Sequence, residues 1–178
     1  KPENGANYGN SRLGQSLQQI GQLLKANIGT EVLFVDCGGW DNHVNEGGVQ
    51  GQLSNLLKDL GQGMVAFHHD MGDRMENIVF VTMSEFGRTA KENGNRGTDH
   101  GHANCMFVMG GGVKGGSVYG ATDEFGFAAV ENKVHVHDLH ATILHLLGFD
   151  HEKLTFRHAG RDFRLTDVQG NVVKELLA

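Results

Sequence analysis

Two short stretches concentrate side chains that bind metal ions. WDNH places Asp41 and His43 at i and i+2, and GTDHGHA sets Asp99, His100 and His102 between glycines. In an extended segment, residues i and i+2 point the same way, so Asp41 and His43 can reach one ion. His100 and His102 share that spacing, while Asp99 either touches the ion or orients a histidine. Imidazole nitrogens beside carboxylate oxygens suit zinc or manganese, with calcium or magnesium as the alternatives.

A third stretch, SEFGR, follows an apolar run and holds Glu85 and Arg88. A carboxylate at the end of a buried strand needs a partner. Glu85 therefore reads as a third metal ligand, a general base, or the ion-pair partner of Arg88. Arg88, with Lys91 or Arg96, offers a fork of donors for an anionic oxygen such as a phosphate or sulfate ester presents. Glu85 and Arg88 are thus the candidate catalytic pair, and a small anionic ester is the expected substrate. Asn93 and Asn95 in KENGNRG read as turn formers. Trp40 is either a stacking wall for a substrate or a cap on the core. Thr82, Ser84 and Thr98 lie near the clusters, but none stands in a nucleophile elbow or another activating context.

The elements expected to position these residues alternate along the chain. Leu13, Leu17, Ile20 and Leu24 recur at helical spacing after Ser11, a plausible N-cap. Leu53, Leu56, Leu57, Leu60, Met64, Phe67 and Met71 mark one face of a longer helix. HDLHATILHLLG reads as a third helix, with Asp138 as N-cap and Gly148 at its end. EVLFVD (31–36), IVFVTM (78–83) and NCMFVMG (104–110) are apolar runs that read as buried strands. GGVKGGSVYG and FRLTDVQGNVV read as small hairpins, and His135 and His137 alternate as on an edge strand. Wholly apolar strands between helices predict a three-layer α/β/α domain with a mainly parallel sheet. In such sheets ligands bind beyond the carboxyl ends of the strands, where WDNH and SEFGR fall.

Composition narrows the function classes. The 178 residues carry a formal charge of −6 with 15 Lys+Arg and no basic stripe, which argues against nucleic acid as a partner. No apolar run reaches membrane-spanning length. Cys37 and Cys105 offer no disulfide framework and no CxxC pair. The 27 glycines, about twice average usage, cluster at expected strand ends, where tight loops form. The opening KPENGANYGN is polar, with neither a signal core nor an initiator Met, and reads as the inside of a longer polypeptide. A sheet edge left exposed in such a piece gives a route to self-association.

GGWDNH, SEFGRT, NGNRGTDHGHA and GGGVKGGSVYG, in this order, resemble the bacterial family catalogued as domain of unknown function 1501, from about Ser11 to Tyr119. The segment from HVHDLHATILHLLG onward resembles the tail of its sulfatase-like members. The resemblance implies an alkaline-phosphatase-like α/β/α fold and a metal centre that splits phosphate or sulfate esters. It also implies export by the twin-arginine route to the periplasm or beyond. By the same resemblance, Asp41 and His43 share one metal, and Glu85 matches the carboxylate of a strand-end Asp-His-Gly. Phe86 stands where that motif has a histidine, and either His100 or His102 matches the later histidine ligand. The nucleophile and a further Asp ligand of such hydrolases precede the matched region, so the chain is expected to be the C-terminal portion of a longer hydrolase. The alternative is a non-catalytic metal-binding or structural member.

Overall fold

The computed structural model describes Lys1–Ala178. The chain divides into two compact units. One comprises Lys1–Met75 with Arg88–His100, and the other Glu76–Gly87 with Gly101–Ala178.

The first unit is organised by a helix pair. α1 (Arg12–Lys25) starts where Ser11 Oγ accepts a hydrogen bond from the Gly14 amide, as its N-cap position predicts. α2 (Gln52–Met71) begins after Gly51 and stops at Gly72, whose φ of 52° breaks the helix. The apolar face of each helix is turned toward the other, burying Leu13 and Leu17 of α1 with Ala66, Phe67 and Met71 of α2. Full burial of side chains such as Phe67 and Met71 is worth about 1.5–3 kcal/mol each, which makes this seam the main apolar support of the unit. Asp70, also buried in the seam, accepts from Lys25 Nζ (2.6 Å), Tyr8 Oη (2.9 Å) and the Glu3 amide (2.6 Å). Three donors compensate the desolvation of that carboxylate and tie residues 3–8 to both helices.

β2 (Gly87–Glu92) and β3 (Thr98–Gly101) form a short ribbon around the turn Asn93–Gly97. In the second unit, β1 (Val79–Val81) pairs antiparallel with β4 (Val108–Gly110), matching Phe80 to Met109. β5 (Ala121–Thr122) pairs with β6 (Ala129–Glu131), and β7 (Thr155–His158) with β8 (Arg161–Arg164). α3 (Val136–Leu146) buries Leu139, Ala141 and Thr142, and the Thr142 hydroxyl accepts from the Val173 amide.

The expected mainly parallel three-layer α/β/α sheet is not present. Every strand belongs to a separate two-stranded ribbon. A parallel pair needs a long crossover, usually a helix. No helix lies between β1 and β4, and the intervening chain folds back through β2 and β3, so β4 returns antiparallel to β1. EVLFVD (31–36) forms no strand: Val32 is 74 % and Phe34 84 % exposed, although the residue types favour strand. Such propensity expresses itself only against a neighbouring ladder, and this segment has none. GGVKGGSVYG runs through turns rather than a hairpin, and FRLTDVQGNVV is likewise not one. The last hairpin closes earlier, at Ala159–Gly160, between β7 and β8. His135 lies outside any strand and caps α3 with its own ring nitrogen, while Asp138 sits at N3 and reaches back to the His135 amide.

Candidate metal centre

The loop from Asp41 to Glu46 is laced to the turn between β2 and β3. The Thr98 amide donates to Asn42 O (3.1 Å), Asn45 N to Asn95 O (3.0 Å) and Glu46 N to Arg96 O (2.9 Å). Gly97 makes this closeness feasible, because a Cβ there would lie 2.3 Å from the His43 carbonyl carbon. Asn93 completes the lacing. Its Nδ2 donates to His43 O (3.0 Å), while its Oδ1 accepts from the amides of Asn95 and Gly97. Residues far apart in the chain are thereby set side by side within one unit.

Asp41, His43 and His100 meet in this arrangement. One ligand atom from each lies within 4.8 Å of the others. Asp41 Oδ1 stands 3.0 Å from His43 Nε2 and 2.8 Å from His100 Nε2. The two imidazole rings stack with centroids 4.9 Å apart. Donor atoms bound at ~2.0–2.2 Å to one tetrahedral ion stand ~3.3–3.6 Å from each other, so these contacts, now at hydrogen-bond length, would open by a few tenths of an ångström to close on an ion. Two imidazole nitrogens with one carboxylate oxygen favour zinc or manganese over calcium or magnesium, which prefer all-oxygen shells.

His43 stands between two carboxylates. Its Nδ1 lies 3.1 Å from Asp99 Oδ1, and its Nε2 faces Asp41 Oδ1. Ionised carboxylates only accept, whereas a neutral imidazole has one donor and one acceptor. His43 satisfies both neighbours as an imidazolium, or as a neutral ring that donates from Nδ1 to Asp99 and shares a metal ion with Asp41 through Nε2. A carboxylate that fixes the far nitrogen of a ligating histidine is a recurrent feature of metal sites. Asp99 itself accepts from Asn93 Nδ2 (3.0 Å). The Asn93 bond, then the His43 contact, hold its carboxyl below the ordinary carboxylate range. The carboxyl of Asp41 is lowered chiefly by the His100 hydrogen bond, with help from Arg88 against the opposing effect of desolvation. Both carboxylates are therefore ionised at neutral pH, as ligands and orienting groups must be.

Arg88 Nη1 donates to Asp41 Oδ1 (2.8 Å), Nε to Thr98 Oγ1 (3.0 Å), and Nη2 to the Thr98 carbonyl. This guanidinium ties the Asp41 carboxylate to Thr98. Glu85 is exposed and lies in the other unit, as does His102, also exposed. Of the six expected metal ligands, the structure brings together Asp41, His43 and His100, sets Asp99 behind His43, and places Glu85 and His102 apart from that set in the chain's division. Asn93 does form its turn, and it also orients Asp99. Glu46, whose Oε2 accepts from Thr98 Oγ1 at 2.6 Å, was not marked by any motif.

The family described as "Protein of unknown function (DUF1501)" matches residues 4–177. The chain belongs to the DUF1501 family. The match takes in every residue of the cluster in this DUF1501 chain. No curated protein and no solved structure matches it. No helix of this DUF1501 protein is long and apolar enough to cross a membrane.

Proposed function

We propose that Asp41, His43 and His100 form a divalent-metal centre and that the protein is a metal-dependent hydrolase of phosphate or sulfate esters, working outside the cytoplasm. The observation that carries the metal centre is His43 held between two carboxylates, with His100 on the same oxygen of Asp41. The ester chemistry and the export rest on the resemblance of the sequence motifs to sulfatase-like proteins. A bound divalent ion supplies Lewis-acid polarisation of an ester oxygen. Asp99 keeps the proton of His43 on Nδ1 and its Nε2 free to ligate. Arg88 Nη1 donates to Asp41 Oδ1 and helps to hold Asp41 in its ionised form.

A second reading, a metal-binding member without turnover, is favoured by Arg88. Its Nε, Nη1 and Nη2 each donate within the protein, to Thr98 Oγ1, Asp41 Oδ1 and the Thr98 carbonyl, which gives the guanidinium a structural task. Assays of the purified full-length protein with aryl phosphate and aryl sulfate, in zinc or manganese, separate the two. The hydrolase reading expects turnover of at least one ester, lost on chelation and in Asp41→Ala. Stoichiometric metal without turnover of either ester supports the second reading instead.

A further inference from the structure

Glu46 is the second carboxylate of the laced loop, and it bonds Thr98 while Asp41 meets the histidines. Its Oε2 accepts the Thr98 hydroxyl proton at 2.6 Å, a short contact of the charge-assisted kind. A hydroxyl has a single proton, so committing it to Glu46 turns the lone pairs of Thr98 Oγ1 toward other donors. Arg88 Nε fills that role at 3.0 Å, while its Nη2 is anchored on the Thr98 carbonyl. The guanidinium is thus seated on Thr98 along one edge, and Nη1 is left aimed at Asp41 Oδ1 at 2.8 Å. Oδ1 is the same atom that meets both histidines. The series Glu46–Thr98–Arg88–Asp41 therefore runs without a break from a partly buried carboxylate to the shared oxygen of the cluster.

We infer that Glu46, acting through the Thr98 hydroxyl and Arg88, is a positioning residue that sets the placement of Asp41 Oδ1 for metal binding. The inference rests on the metal-centre reading above. Groups behind metal ligands typically change affinity by ~10–100-fold when removed. Two intervening side chains put Glu46 at the lower end of that range.

The test is the dissociation constant for Zn²⁺ alone, measured by competition with a chromophoric chelator, alongside the visible absorption spectrum of the Co²⁺-loaded protein. Glu46→Ala and Thr98→Val are each expected to weaken Zn²⁺ binding about 10-fold and to shift the Co²⁺ bands in the same way. Thr98→Ser, which keeps the hydroxyl, should restore both. Because the two residues act along one path, Glu46→Ala/Thr98→Val should bind no more weakly than Thr98→Val alone. Wild-type affinity and spectrum in Glu46→Ala would overturn the inference, as would additive losses in the double variant. Failure of the wild-type chain to bind Zn²⁺ would instead remove the metal centre itself, and this inference with it.

Discussion

Asp99 holds Nδ1 of His43 at 3.1 Å, which leaves Nε2 as the ring atom facing Asp41 Oδ1 at 3.0 Å. In the proposed metal centre this contact makes Asp99 the group that would keep the His43 proton on Nδ1. It also ties β3 to the Asp41 loop through side chains, beside the backbone lacing around Gly97.

Removal of that tautomer control should weaken the site without dismantling it. Asp99→Ala is expected to lower zinc affinity by ~10–100-fold, with the melting temperature of the metal-free protein nearly unchanged because Asp99 is exposed. Chelator competition and thermal melts read the two effects separately. An unchanged affinity would mean that His43 is oriented by its other contacts.

The buried carboxylate of the helix pair makes a pH prediction. Burial alone would raise the pKa of Asp70, but the Lys25 ammonium, the Glu3 amide and the Tyr8 hydroxyl outweigh it and bring it below its ordinary value of 3.8. The group binds protons less readily when folded. Its stabilisation is therefore fully present above the unfolded pKa and is lost as pH falls through the folded one. Urea midpoints of wild type and Asp70→Asn should differ widely at pH 6 and converge below about pH 3.8. A gap that stays constant down to pH 2 would contradict this role.

Gly21 tests the packing of α1 on α2. Alanine in mid-helix gains about 1 kcal/mol of propensity over glycine. A Cβ at Gly21, however, would lie 2.9 Å from Asp70 Oδ2, 3.1 Å from Met71 Cε and 3.2 Å from Tyr8 Oη. Overpacking of this kind costs about 1–3 kcal/mol, and displacing Asp70 disturbs its ion pair with Lys25 as well. Gly21→Ala should thus lower the melting temperature by a few degrees, at roughly 2–4 °C per kcal/mol. A raised melting temperature would show that the seam yields freely.

The helices were legible because their signal is local. Leu13, Leu17 and Met71 fall on buried faces as their spacing predicts, and Ser11 caps α1. The sheet was not legible, because strand residue types report propensity and not partners. EVLFVD has the types of a buried strand and lies exposed, and IVFVTM and NCMFVMG find each other antiparallel. At the site, the i, i+2 pair Asp41 and His43 meets His100, while His102 falls in the other unit of the chain. Glu46 is marked by no motif, and Thr98 is weighed in the sequence only as a nucleophile. They are 52 positions apart, and their contact exists only because Gly97 lets the two loops touch.

The most direct measurement is the metal content of the purified chain after equilibration with zinc or manganese and removal of excess, for wild type beside single alanine variants. The metal centre predicts one tightly held ion per chain, lost in Asp41→Ala, His43→Ala and His100→Ala and retained in His102→Ala. No bound ion in wild type, or an ion that survives loss of Asp41 and His100, would contradict it.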